Sequence, residues 1–286
     1  MHAPERGTFR RLLVRPTFVF GFVFVGLTAS LALLSFVWTP HDIAGTNVPD
    51  AFRSPGPQFW LGTDERGRDT FSMLMIGART SLAVAFAAVL IGMGIGVPLG
   101  ATAAAEGGWL DEIIMRGNDL IFAFPALLSA LIITAAFGAS AWNAVIAIGI
   151  FNIPVFARVS RSAALPIWRT EYAMAARAAG KRRWRVTWEH VLPNILTLLV
   201  VQATIQFSVG IIQEAGLSYI GLGAAWPVTS WGRMLAEAQT MAFLAPRLAV
   251  LPGLAIVLTV LALNVMGDAM RDALDPRLRD RVAATR

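Results

Sequence analysis

Six stretches of this chain, near residues 17–38, 81–105, 120–139, 141–157, 195–213 and 248–267, contain no Asp, Glu, Lys or Arg. A helix that crosses a bilayer needs ~20 mostly apolar residues. One charge at its centre costs about 2.5–3.5 kcal/mol on an insertion scale. Runs of this kind leave no polar face for water, which excludes an ordinary soluble helical protein. Composition agrees: 15% of the 286 residues are charged, against ~25% in soluble domains, and the mean hydropathy is +0.62. The predicted fold class is an all-α membrane protein with six transmembrane helices. The fourth run is short, and Asn152 and Pro154 interrupt it. The first run follows Arg6, Arg10, Arg11 and Arg15, as a signal peptide would. Its apolar run is too long for one and no small-x-small cleavage site follows, so it is read as a retained helix.

Orientation follows from Lys and Arg. With the N-terminus in the cytoplasm, only Arg53, Arg66, Arg68, Arg79, Arg233 and Arg247 face outward, and the other 18 of the 24 basic residues face inward. That bias predicts both termini inside. It also accounts for the net charge of +6 without nucleic acid. The expected organisation is a cytoplasmic tail (1–16), the first transmembrane helix (17–38) and an extracytoplasmic loop (39–80). The loop is irregular over 41–57 and carries a short amphipathic helix near 70–79. A core (81–267) with five further transmembrane helices and a cytoplasmic loop at 158–194 follows, then a cytoplasmic tail (268–286).

The cytoplasmic loop contains the stretch EYAMAARAAGKRRWRVTWEHVLPN, residues 171–194. Tyr172, Ala175, Ala176 and Ala179 recur at helical spacing and make a stripe of mainly small side chains. Gly180 is the expected helix stop, because glycine takes the left-handed conformation cheaply. Trp184 and Trp188 are suited to the headgroup level of a membrane. Pro193 is placed to open the fifth span. Spacing alone leaves two readings open: an interfacial helix that positions its neighbours, or a knob for a cytoplasmic partner.

This stretch resembles the EAA signature of ABC importer permeases: E-A-A, three residues, G, nine residues, a variable pair, then L-P. Ala175, Ala176, Gly180, Leu192 and Pro193 fall in register. Met174 occupies the motif's glutamate position, and the nearest acid is Glu171. Four further blocks are similar to the dipeptide, oligopeptide and nickel permeases: LGTDERGRDTFSMLMIGARTSL (61–82), EAGLSYIGLG (214–223), SWGRML (230–235) and GDAMRDALDPR (267–277). The resemblance implies a type I ABC importer permease fold with a cytoplasmic coupling helix. It implies pairing with a homologous permease, two cytoplasmic ATPase subunits docked on the coupling loops, and an extracytoplasmic substrate-binding protein. Glu171, Ala175, Ala176, Gly180, Leu192 and Pro193 are then the ATPase-coupling residues. The chain is expected to be no enzyme and to bind no cofactor, with ATP and Mg used by the partner ATPases. It contains no G-x-x-x-x-G-K-[ST] loop to cradle phosphates.

The remaining polar residues are sparse. Gln202, Gln206 and Gln213 share a helical face and, with Glu214 at its outer end, are the candidate translocation path. Amides in membrane helices also serve simply to bridge neighbours, and Glu214 equally suits a structural role. Gly92, Gly96 and Gly100 form a small-xxx-small pattern for close helix packing. The alternating signs of DERGRD, residues 64–69, predict a solvated, salt-bridged helix start rather than a metal site. His2, His41 and His190 are too scattered for a metal cluster, and cysteine is absent. The expected partners beyond protein are membrane lipids. The rival function, a self-sufficient secondary transporter or channel, would ordinarily place ionisable groups within its spans, and these runs carry none.

Overall fold

In the computed structural model the described residues are 15–224 and 228–274, with the side chains of 126, 127 and 274 excepted. Those residues form helices and irregular chain, with a single isolated β-bridge between Thr63 and Asp69. Most of both charged tails lies outside the described residues.

Helix α1, Pro16–Leu34, opens on a proline whose missing N–H costs nothing at a first turn. Irregular chain follows, with one 3-10 turn at Val48–Asp50. Helix α2 spans Thr70–Glu106, 37 residues, about 55 Å at 1.5 Å per residue. Asp69 caps it by accepting from the Ser72 N–H at 2.9 Å. The helix expected near 70–79 is thus the first turns of α2 rather than a separate element, because no glycine C-cap or proline stop intervenes before residue 98.

The third expected span, 120–139, is not one helix. Helix α3, Gly108–Phe122, ends before Pro125, whose ring disfavours helical geometry at the residue before it. Helix α4, Ala126–Phe137, then has 12 residues, about 18 Å, too short to cross a ~30 Å hydrocarbon core unaided. The fourth run is longer than expected. Helix α5 spans Ala141–Trp168, passing through Pro154 and Pro166. It carries Arg158 and Arg161 beyond the apolar stretch, where they pair with Asp119 and Asp111 of α3 at 2.5 Å each. The loop expected from 158 therefore begins only after Trp168.

The loop holds α6, Glu171–Ala178, and α7, Arg183–Val186. A π turn at Thr187–Val191 leads into α8, Leu192–Tyr219. The Pro193 ring conflicts with the carbonyl four residues back. The chain widens there, and the Leu192 N–H donates to the Thr187 carbonyl. Helix α9, Trp231–Ala238, and helix α10, Arg247–Leu274, are the last two helices of the described residues. Five helical segments among the described residues are long and apolar enough to cross a membrane: Pro16–Leu34, Thr70–Glu106, Ala141–Trp168, Arg183–Tyr219 and Arg247–Ala273.

The centre of the fold is the crossing of α2 and α5. A Cβ on Gly92 would strike Asn152, one on Gly96 the Ile153 carbonyl, and one on Gly100 the Ala157 carbonyl. The glycine ladder therefore brings the two backbones together, as small-xxx-small spacing predicts. Helix α8 packs on the same side through Val89, Phe156, Ile195 and Leu199. Helix α1 lies against α10, where Gly21 meets the Ala262 backbone and Phe18 meets Ala269. Large apolar side chains such as Phe22, Val23, Phe86, Leu128, Ile132 and Val257 remain exposed on the outer faces of these helices, which suits hydrocarbon or another membrane subunit rather than water.

Candidate functional site

The basic loop is a helical hairpin fixed at several points. On α6, Ala173 is fully buried against Ala164, Trp168, Val186 and Val191. Ala176 is half-buried, while Glu171, Tyr172, Met174, Ala175, Arg177 and Ala178 are exposed. The stripe read from spacing is thus split. Its Tyr172, Ala175 and Ala179 side faces out, and Ala176 turns partly inward. The helix ends in a Schellman arrangement: the Gly180 N–H donates to the Arg177 carbonyl at 2.9 Å, and the Lys181 N–H to the Ala176 carbonyl at 3.1 Å. Gly180 has φ +83, the left-handed geometry that glycine adopts cheaply, and a Cβ there would meet nothing within 4 Å.

The helical return arm of the hairpin is tied to α6 through Tyr172 and to the turn after it through Lys181. Glu189 pairs with Lys181 and, at 2.7 Å, with Arg185. The Tyr172 and His190 rings meet edge-on at 6.0 Å. Arg183 reaches the end of α2, donating to the Ala105 and Glu106 carbonyls at 2.6 and 3.0 Å. Leu192 sits half-buried beside the Ile195 and Leu199 cluster, and Pro193 is exposed at the start of α8. The sequence-predicted coupling residues therefore lie on the hairpin (Glu171, Ala175, Ala176 and Gly180) and at the start of α8 (Leu192 and Pro193), which the π turn joins to it.

The expected path residues do not share one open face. Gln202 and Gln213 are half-buried. Gln206 is buried, and its amide donates to Asn152 Oδ1 on α5 at 2.9 Å, so it bridges helices inside the subunit. Glu214 is 1% exposed. It accepts from the Ser81 hydroxyl of α2 at 2.7 Å and from the Ser218 hydroxyl at 2.6 Å. Each serine passes the connection on: Ser81 Oγ accepts from the Trp231 N–H at 3.2 Å, and Ser218 Oγ from the Ala224 N–H at 3.4 Å. Glu214 thus ties α2, α8 and the chain leading to α9, and does not face an open path in this subunit.

The DERGRD segment is salt-bridged, as predicted, but its Asp64, Arg68 and Asp69 are buried, and only Glu65 and Arg66 keep partial exposure. Arg68 is 3% exposed and pairs with Asp64 at 2.6 Å and with Glu237 of α9 at 2.7 Å. Glu237 also pairs with Arg233 at 3.1 Å. Burial alone would raise the Glu237 carboxyl, but the Arg68 and Arg233 guanidiniums outweigh it and hold it below the ordinary carboxylate range. Glu237 carries no sequence motif that announces this partner, 169 residues from Arg68. Among the described residues no group of three or more His, Asp or Glu could hold a metal ion.

Residues 96–280 match the family described as "Binding-protein-dependent transport system inner membrane component". The chain belongs to that family. The permease is 38% identical over 277 residues to the dipeptide transport system permease protein DppC of Alkalihalophilus pseudofirmus, covering 97% of this chain and 91% of that one. It is 40% identical over 280 residues to the glutathione transport system permease protein GsiD of Pectobacterium atrosepticum, covering 98% and 93%. In structure, it is similar to a chain of the MetNI methionine ABC transporter in an inward-facing form. There the TM-score is 0.57, the identity 20%, and the cover 70% of this chain and 95% of that one; this likeness concerns the fold. The permease is a multi-pass inner-membrane subunit of an ABC importer. It is a transport component rather than a catalyst, and it works with a binding protein and an ATPase.

Proposed function

We propose that this permease carries peptide-sized solutes, of the dipeptide or glutathione kind named for its relatives. It does so in a pair with a homologous permease, and two cytoplasmic ATPases, which bind the ATP and Mg, drive it. The exposed hairpin from Glu171 to Gly180 is the ATPase docking element. The observation that carries this reading is its build. A short, largely exposed helix that presents Ala175 outward ends on a left-handed glycine in open space, and the π turn links it to α8. A push on α6 is therefore delivered to a membrane-crossing helix. Leu192 and Pro193 form the joint, and Glu171 stands one turn before Met174 as the only acid on α6 itself. Both termini are cytoplasmic. The broken α3–α4 segment supplies the sixth crossing, its exposed Leu128, Leu131 and Ile132 covered by the partner permease. Gln202 and Gln213 are the path-facing amides of α8, whereas Gln206 and Glu214 hold the walls in place.

The test is Gly180→Trp. The new side chain has room within the subunit, so the protein inserts. A non-glycine residue at φ +83 costs roughly 1–2 kcal/mol, and the indole stands where the ATPase would seat. ATPase retention on the purified permease pair is expected to fall at least tenfold, and transport with it. Full ATPase retention and coupled transport in this variant would refute docking at the hairpin.

A further inference from the structure

A groove lies between the C-terminal half of α2 and the helical return arm of the hairpin, and the transport reading leaves it unused. Its volume is about 400 Å³. Its walls are Met93, Gly94, Pro98 and Ala101 on one side and Trp184 and Trp188 on the other. Gly94 and Pro98 are exposed, and the tryptophans are 63% and 65% exposed. At one edge of the groove Arg183 pairs with the lining residue Glu106, within a basic stretch of chain. Residues 181–185 read Lys-Arg-Arg-Trp-Arg. Glu106 takes Arg183, and Glu189 takes Lys181 and Arg185. Arg182 is exposed and pairs with no carboxylate among the described residues. Four cations against two carboxylates leave this segment beside the groove positive.

We propose that the groove holds an acyl chain of an anionic phospholipid of the cytoplasmic leaflet, with its phosphate on Arg182 and beside Arg183. A phospholipid matches both parts of the site, because it places an anion directly above hydrocarbon. Tryptophans belong at that boundary, and basic pockets between membrane helices on the cytoplasmic side collect anionic headgroups. A helix of another subunit would have to bring its own acid to this one level. The choice of leaflet rests on the topology proposed above; the lipid preference does not.

The experiment uses the full-length permease, purified in detergent with its co-expressed partner subunits. It is incubated with equal amounts of phosphatidylglycerol and phosphatidylcholine, and bound lipid is read by native mass spectrometry. Phosphatidylglycerol is expected to be retained about fivefold over phosphatidylcholine, the ratio one basic side chain supplies near a membrane surface. Arg182→Gln is expected to bring that ratio close to one. Gly94→Leu puts an isobutyl group into the groove at a position where a Cβ meets nothing within 4 Å; bound lipid is expected to fall while the thermal transition stays in place. Equal retention of both lipids, or undiminished retention by Gly94→Leu, overturns the proposal. Lipid held by the isolated chain but not by the complex also overturns it, and assigns the groove to the partner subunit. A topology reporter that places the hairpin outside changes the leaflet and refutes the transport orientation, while leaving the lipid ratio as measured.

Discussion

The Glu214 carboxylate, withdrawn from solvent, keeps two hydroxyl donors, and each of those serines accepts in turn from a backbone N–H. Removing the carboxylate leaves buried hydroxyls without their acceptor. Glu214→Ala is therefore expected to destabilise the permease by about 2 kcal/mol, and Glu214→Gln by less, because the amide oxygen still accepts one of the two bonds. Thermal unfolding in detergent checks the ranking; an Ala variant as stable as the parent would contradict the network. Glu237 makes a pH prediction. Its folded carboxyl lies below the ordinary range, so its pairing stabilises the Arg68–Glu237–Arg233 cluster above the unfolded value of about 4.3. That contribution is lost as pH falls through the lower folded value. Hydrogen exchange in α9 is expected to speed up as pH is lowered from about 5 to 3, after correction for intrinsic rates. Glu237→Gln should flatten this dependence, and an unchanged profile in that variant would count against the pairing.

Among the helices, the contrast between neighbouring glycines of α2 is the sharpest test. Gly96 and Gly100 face the α5 backbone, whereas Gly94 faces open space. Gly100→Ala is expected to cost about 1–3 kcal/mol by overpacking, and Gly94→Ala to be neutral or slightly stabilising through helix propensity. Melting temperatures of the two purified variants decide it. Reversed order would mean that α2 and α5 do not meet along the glycine ladder. On α8, Gln202→Cys should react with a small aqueous thiol reagent faster than Gln206→Cys, because Gln206 is held inside against Asn152. The chain has no other cysteine, so the rates can be read directly; equal rates would place Gln206 on an open face after all.

At the scale of the whole molecule the prediction is topological. A reporter fused after Arg286 is expected to be active only in the cytoplasm, and one inserted within 41–57 only outside. The same compartment for both would sink the proposed six crossings and move the hairpin away from the ATPases. The excess of inward Lys and Arg motivates the expectation. The broken α3–α4 segment is its most demanding part, because 12 helical residues need cover from a neighbour to reach across.

The amino-acid sequence by itself determined the apolar runs, the glycine ladder and the hairpin's stop at Gly180, because each depends on local composition or on one residue's own backbone freedom. It carried the family too, through ordered blocks such as residues 171–194 and 214–223. Tertiary structure decided the rest. An apolar window does not register that Pro125 divides one run, or that Arg158 and Arg161 can prolong another once Asp119 and Asp111 receive them. Gln202, Gln206 and Gln213 share a face by periodicity, yet only packing against Asn152 turned Gln206 inward. Arg68 found Glu237 across 169 residues, and Glu214 found Ser81 across 133. A buried charge or amide takes whichever partner the fold brings within hydrogen-bond reach, and that choice belongs to the folded chain.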